Sequence, residues 1–195
     1  MIRNLCLVIG CISLSASVYA QDTTLIVGSI PQSIPEFLEL RGKLAKTPEG
    51  GAIIMLTALQ MHARDKKLGL QAITIALAKK NVTKGKIYRG YQPHGSLNYH
   101  LSRMEKIPYA PFAYILGANP ANQYQVKAPY RYKISRNKYS GKESEGKVKV
   151  FIHVHGHSPR PVKLTINDKG LWKASELSSL FLNVQPPQEP DLDDL

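Results

Sequence analysis

The sequence predicts an α+β fold, in which an N-terminal helical half packs on a C-terminal antiparallel β-sheet. Two observations predict this class. Residues 33–106 contain apolar residues at helical spacing, whereas residues 107–185 are rich in Tyr, Pro, Asn and β-branched residues. In the second half, apolar and polar residues alternate along residues 148–155 and 162–167, as in strands that bury one face. We therefore expect a single domain over residues 33–185.

Residues 1–20 have the features of a secretory signal peptide. Arg3 precedes an apolar run over residues 5–14 that is too short to span a bilayer, and Val18-Tyr19-Ala20 places small residues at the −3 and −1 positions. The chain is therefore expected to be exported and to be periplasmic or secreted. A second interpretation makes Cys11 the lipid-carrying residue of a lipoprotein, but the apolar run before it is short for that pathway.

Helix signals follow a lead-in over residues 21–32, which can form an edge strand. Ser33 can cap a first helix, and Thr47 followed by Pro48 marks the start of a second one. The apolar residues of the segment 51–64 are nearly continuous, which predicts a helix at the centre of the core. Further helices are expected over residues 68–79, from Ser96 to about Met104, and near Glu176 to Leu180.

The stretch between the third and fourth expected helices is basic and contains two tyrosines. Cations with interleaved aromatic rings are typical of single-stranded nucleic-acid binders, because rings stack on bases while cations contact phosphates. A solvated helix end beside packed tyrosines explains the same residues and is favoured, so nucleic acid is not an expected partner. These residues are Lys79, Lys80, Lys84, Lys86, Tyr88, Arg89 and Tyr91.

The charge of the chain is strongly positive. The formal net charge is +12, although four of the fourteen acids lie in the last seven residues, within an acidic Pro-rich tail over residues 186–195. A basic body of this kind attracts anionic surfaces, such as an acidic glycan or a membrane surface. The two cysteines, Cys6 and Cys11, both lie in the expected signal peptide, so the mature chain is expected to contain no disulfide.

Strand parity predicts where the cations of the β-rich half lie. Side chains that alternate with the buried valines and isoleucines should emerge together on the solvated face of the sheet, with no carboxylate among them. We expect this face to bind an anionic ligand such as a glycan or a lipid headgroup, although a merely solubilising basic surface explains it equally well. The candidate ligand-binding residues are Arg131, Lys133, Lys149, Phe151, His153 and Lys163, with Arg160 at the rim.

The segment His153-Val154-His155-Gly156-His157 supports an alternative, because three imidazoles can bind zinc or copper. His153 and His155 share one face of a strand, and His157 could join them after the turn. However, no Asp or Glu lies between Lys147 and Asp168 to support such a site. The leading interpretation therefore includes no cofactor.

Signatures of common enzyme classes are missing from the sequence. It contains no G-x-S-x-G motif and no phosphate-binding loop, and its acids are too scattered to indicate a pair of catalytic carboxylates. The sequence thus favours an exported, non-enzymatic binding protein.

Three blocks of the β-rich half carry a family resemblance. Residues 117–124 have the form G-A-x-P-x-N-x-Y, Pro129-Tyr130 follows, and residues 158–161 read S-P-R-P. Over about residues 50–187 the chain resembles an uncharacterised bacterial domain of unknown function that occurs in secreted or envelope proteins. The resemblance implies a fold and an envelope setting, and it transfers no catalytic residue.

Overall fold

The computed structural model describes residues 21–189. The expected signal peptide, the alternative lipoprotein site at Cys11 and the tail from residue 190 onward lie outside the described residues. Within them the chain forms four α-helices, namely α1 (Ile34–Leu44), α2 (Pro48–Arg64), α3 (Lys66–Ala76) and α4 (Ser96–Glu105). None of these helices is long and apolar enough to cross a membrane.

The helices pack on a five-stranded antiparallel sheet with the strand order β1-β4-β5-β6-β7, in which β1 precedes the helices and the other four strands follow them. The predicted α+β class is therefore confirmed. The expected edge strand is β1, which runs antiparallel to β4 with Gln21 opposite Arg136. The strands of this sheet are β1 (Gln21–Val27), β4 (Tyr130–Arg136), β5 (Lys147–Val154), β6 (His157–Ile166) and β7 (Trp172–Glu176).

Helix α2 is the centre of the core. It begins where the Thr47 side chain accepts a hydrogen bond from the Gly50 amide at 3.1 Å, and every residue from Gly50 to His62 is buried. One side packs on β5, β6 and β7. The contact with β7 is close, because a Cβ added at Gly51 would lie 2.7 Å from the Trp172 carbonyl oxygen. The near-continuous apolar run over residues 51–64 thus encodes a helix covered on all sides.

The free edge of β7 is covered by backbone from the helical half. The Trp172 amide donates to the Ala45 carbonyl at 2.7 Å, and the Ala78 amide donates to the Ala174 carbonyl at 2.8 Å. These bonds fix the loop between α1 and α2 and the segment that leaves α3. An exposed edge strand can pair with a strand of another chain. These backbone hydrogen bonds therefore protect the β7 edge from such pairing.

The basic region between α3 and α4 contains two strands that the sequence did not predict. It forms a two-stranded ribbon, β2 (Val82–Tyr88) and β3 (Tyr91–Pro93), joined by a tight turn at Arg89 and Gly90 with φ values of 47° and 82°. The register shifts between Lys84 and Tyr88, which breaks the alternation by which a strand is recognised in sequence.

Two expected boundaries are shifted in the C-terminal half. The sheet strands of this half begin only at Tyr130, well after the expected start of the β-rich half at residue 107, because residues 110–122 contain short 3₁₀ turns. The expected last helix is a single 3₁₀ turn, Ser178–Phe181.

The G-A-x-P-x-N-x-Y block has an identifiable structural role. Asn119 and Asn122 cap one another, with amide-to-side-chain distances of 2.9 and 3.1 Å. The hydroxyl of the buried Tyr124 donates to the Gln185 carbonyl at 2.7 Å, and the Gln188 amide donates to the Pro120 carbonyl at 3.0 Å. The block therefore attaches the start of the C-terminal tail to the domain.

Candidate functional site

Strand parity separates the two faces of the sheet as predicted. Along β5 the side chains of Val148, Val150, Ile152 and Val154 are buried, whereas the residues between them are exposed or half-buried. Along β6, Val162 and Leu164 are buried and Lys163 is exposed. We call the side that points away from α2 the outer face; it carries Lys133 and Ser135 on β4, Lys149, Phe151 and His153 on β5, and Lys163 and Thr165 on β6.

Cross-strand pairing sets the neighbours on the outer face. Lys149 lies directly opposite Lys163, and Phe151 lies opposite Pro161 on one side and Ser135 on the other. Two like charges placed opposite each other destabilise a sheet by a fraction of a kcal/mol, about 0.2–1 kcal/mol. The Lys149 ammonium lies 5.4 Å from the centre of the Phe151 ring, within cation–π range.

A groove of about 550 Å³ runs over β5, β6 and β7 on this face. Glu176 contributes a carboxylate to its lining, and Tyr139, whose surface is 69% exposed, stands at its side. Five cations line the groove, and we call it the lysine groove: Lys79, Lys80, Lys147, Lys149 and Lys163.

Two loops complete the lysine groove. The loop between β4 and β5 folds back on β5, since the Lys149 amide donates to the Ser140 carbonyl at 2.7 Å, and this contact places Tyr139 beside the groove. On the other side the Asn81 amide group donates to the Ser175 carbonyl at 2.9 Å, which fixes the segment that carries Lys79 and Lys80. Sequence reasoning noticed these two lysines but assigned them to a separate basic stretch.

The expectation that no carboxylate shares the outer face is wrong. Lys163 Nζ lies 2.7 Å from a Glu176 carboxylate oxygen, and Lys133 Nζ lies 2.8 Å from an Asp22 carboxylate oxygen. The hydrogen bond from Lys133 lowers the pKa of Asp22, and the one from Lys163 lowers the pKa of Glu176. Both acids lie on edge strands of the sheet, Asp22 on β1 and Glu176 on β7. Their carboxylates partly offset the positive charges of the central strands.

The remaining cations of the groove are not compensated in this way. Within residues 21–189, no ion pair involves Lys79, Lys80, Lys147 or Lys149. Four ammonium groups without an ion pair among residues 21–189 therefore surround one groove, where the Lys80 charge also helps to lower the pKa of Glu176, and their mutual repulsion favours an anion that enters it.

Two further candidates lie away from the lysine groove. Arg131 is exposed on β4 opposite Ile26 of β1, near Lys133 and beyond the groove. Arg160 has the parity of Val162 and lies opposite Ile152, so it leaves the sheet on the side of the core. Its Nη2 is 3.5 Å from the Asn183 carbonyl. The structure therefore does not bring Arg160 to the rim of the outer face.

The three histidines are separated by the turn between β5 and β6. His153 belongs to the outer face, where its Nε2 is 3.2 Å from the Ser135 hydroxyl, and burial together with Lys133 lowers its pKa. His155 is an exposed turn residue, and His157 begins β6 opposite Val154. In the part of the chain that is described, no three His, Cys, Asp or Glu side chains are close enough together to hold a metal ion. The zinc or copper hypothesis thus stays a prediction without support from this arrangement.

Fold and site together define an α+β protein whose sheet carries a lysine-lined groove on its outer face. The chain belongs to the family described as a domain of unknown function, DUF6935, whose model matches residues 29–188. This match confirms that an uncharacterised family covers the region in which the resemblance was found, and it extends that region into the N-terminal half. No curated protein and no solved structure shows significant similarity to the chain.

Proposed function

We propose that this protein is an exported, non-enzymatic binding protein that holds an anionic glycan or an anionic membrane surface in the lysine groove. The observation that carries the proposal is that five lysines line one groove, two from the segment after α3 and three from β5 and β6. Four of them form no ion pair among the described residues. The signal-peptide features of residues 1–20 support a setting outside the cytoplasm.

Energetics favour a ligand that presents several anionic groups. An exposed ion pair contributes about 0.2–1 kcal/mol, so five lysines together supply about 1–5 kcal/mol. Binding with micromolar affinity requires about 8 kcal/mol. A single small anion therefore falls well short of that value, whereas a polyanion that also contacts Lys133 and Arg131 farther along the outer face gains up to about 7 kcal/mol and approaches it.

The shape of the groove agrees with this ligand class. Tyr139 is largely exposed beside the lysines, and the half-buried Phe151 continues the face towards His153. A sugar or a headgroup with an apolar portion can pack against these rings while its anionic groups meet the ammonium groups.

The test is retention of the full-length protein on a sulfated glycan column and co-sedimentation with vesicles of phosphatidylglycerol and phosphatidylcholine. We expect retention that is lost at moderate salt, because exposed charges are screened within about 10 Å at 0.1 M ionic strength. The double variant Lys80→Gln/Lys147→Gln should elute at clearly lower salt. Retention by only one of the two materials identifies glycan or headgroup as the ligand class.

The matched control is Lys67→Gln/Lys106→Gln, which removes the same net charge. Both of these lysines are exposed, Lys67 lies at the other end of α3 from Lys79, and neither forms an ion pair among the described residues. The control should elute close to the wild-type protein. Equal shifts of the two double variants would show that only net charge matters, and absence of binding to both materials would overturn the proposal.

A further inference from the structure

A second cavity of about 550 Å³ lies at the junction of α1, α3, the β2–β3 ribbon and the β6–β7 turn. It is separate from the lysine groove, and Lys79 is a residue that contributes to both. Its volume lies within the range of about 300–1,000 Å³ that is usual for small-molecule sites.

Five cations line this cavity, namely Lys79, Lys169 and three that come from α1, the ribbon and β7. Arg41 lies in the last turn of α1, Arg89 in the turn of the ribbon, and Lys173 on β7. Burial lowers the pKa of Lys173, and the neighbouring Arg41 lowers it further. Burial also lowers the pKa of Arg41. Tyr88 raises this pKa, whereas the positive charge of Arg89 lowers it further. Arg41 is therefore close enough to both Lys173 and Arg89 for their charges to repel its own.

These cations lack compensation within the described residues. None of the ion pairs found in residues 21–189 involves Arg41, Arg89 or Lys173, and Asp168 is the carboxylate that lines the cavity. The Arg41 Nε is shielded from solvent and has no hydrogen-bond partner there. A helix C-terminus favours a nearby cation, but this effect does not satisfy a buried N–H group.

Keeping unpaired charges at a partly buried position destabilises a fold, and apolar side chains of similar size are generally tolerated better. Unpaired charges that lower the stability of the folded protein are typical of binding sites, where a bound ligand supplies the missing partner. For Arg41 and Lys173 that partner has to be an anion.

The rest of the cavity is suited to an apolar body. The ring of Tyr88 lies under the Arg89 guanidinium at 5.3 Å, and Tyr91 is 53% exposed at the same ribbon. Aliphatic side chains from α1, α3, the segment after α3, β2 and the β6–β7 turn form the remaining wall, namely Leu38, Ile75, Leu77, Val82 and Leu171.

We propose that this cavity binds a small organic anion, whose carboxylate is held by Arg41 and Lys173 and whose apolar body packs between Tyr88 and the aliphatic wall. The ligand differs from that of the lysine groove, whose lining consists mainly of lysines and small polar residues and offers no comparable aliphatic wall. Here Arg41 and Lys173 lie beside Tyr88 and an aliphatic wall, and this combination favours a hydrophobic molecule that carries an anionic group.

The test uses calorimetric titration of the full-length protein with 2-naphthoate and with decanoate, which distinguish an aromatic body from an acyl one. The uncharged 2-naphthamide and decanol are the matched probes for the carboxylate. We expect at least one of the two anions to bind and its neutral counterpart to bind at least tenfold more weakly. Failure of both anions to bind at millimolar concentration, or equal binding of the neutral probes, would overturn the proposal.

Variants separate a binding role from a structural one. Arg41→Met and Lys173→Met should each weaken carboxylate binding at least tenfold and raise Tm, because each removes an unpaired, partly buried charge. Lys173→Arg keeps the charge and should retain binding. Lys163→Met, in the lysine groove, should leave carboxylate binding unchanged while it weakens polyanion retention. A fall in Tm for both methionine variants would show that the cations are structural, and the proposal would then be wrong.

Discussion

Replacement of Gly69 by alanine tests the closest helix contact of the fold. Gly69 lies in α3 where it crosses α2, and a Cβ added there would be 2.0 Å from the Cα of His62 and 2.2 Å from its amide nitrogen. Both atoms belong to backbone, so no side chain can move aside. The two helices would have to separate by more than 1 Å to restore ordinary van der Waals distances of about 3.5–4 Å.

The magnitude follows from two opposing effects. Overpacking of this kind costs about 1–3 kcal/mol, and a clash with backbone places Gly69→Ala at the upper end. Alanine is about 1 kcal/mol more favourable than glycine inside a helix. The net loss is therefore about 2 kcal/mol, which for a domain of this size lowers Tm by about 4–8 °C.

Gly42 provides the matched control, because it is an exposed residue of α1 whose added Cβ would meet no atom within 4 Å. Gly42→Ala should raise the free energy of unfolding by about 0.5–1 kcal/mol through helix propensity alone. The assay is thermal and urea unfolding of both variants beside the wild-type protein. A Gly69→Ala protein as stable as Gly42→Ala would refute the close approach of α2 and α3.

Three further predictions concern buried and paired groups. His62 is buried and its pKa is lowered mainly by burial, so below about pH 6.5 the unfolded chain takes up a proton that the folded chain does not. The free energy of unfolding should therefore fall as pH decreases from 7 to about 5, and His62→Gln should flatten this slope. Tyr132→Phe removes the hydroxyl that donates to the buried side-chain Oε1 of Gln60 at 3.0 Å and should lower the free energy of unfolding by about 1–3 kcal/mol in chemical denaturation. Glu176→Gln frees Lys163 from its ion pair and should move elution from the sulfated glycan column to higher salt.

Each of these outcomes has its own contrary result. A pH slope that is the same with and without His62 would assign the effect to other groups. Tyr139→Phe, at a largely exposed ring, should change stability by less than about 0.5 kcal/mol, and an equal loss in Tyr132→Phe and Tyr139→Phe would contradict the role of the buried bond. Earlier elution of Glu176→Gln would show that the carboxylate helps to bind the ligand rather than to mask a lysine.

The sequence predicts those parts of the fold in which the signal is local. Alternation along residues 148–154 assigns the buried and outer faces of β5 correctly, because side chains of a strand alternate with a period of two. The helix starts at Ser33 and Thr47 also follow from neighbouring residues, since both side chains cap amides three positions later. No information about other strands is needed for either conclusion.

Features that depend on which strands are neighbours could not be predicted in this way. Asp22 meets Lys133 because β1 pairs with β4, and Glu176 meets Lys163 because β7 lies beside β6. Nothing near Arg41 in the sequence points to Lys173, which reaches the same cavity from the last strand of the sheet. Such sites are defined by tertiary packing rather than by spacing.

The histidine hypothesis shows a limit of period-two reasoning. His153 and His155 share a face only if the strand continues through both residues. The structure ends β5 at Val154 and turns at His155 and Gly156, where glycine takes a φ of 67°. A glycine two residues after an alternating run is thus a reason to end the strand before assigning faces.

The pairing of β1 has a consequence for the order in which the domain can be assembled. Gln21 opens the described chain, yet the residue opposite it is Arg136, which is made more than a hundred residues later. Closing so long a loop is slow compared with forming the hairpin of β5 and β6, whose strands are joined by two residues. A nascent chain must therefore carry its first strand unpaired until most of the domain has been synthesised.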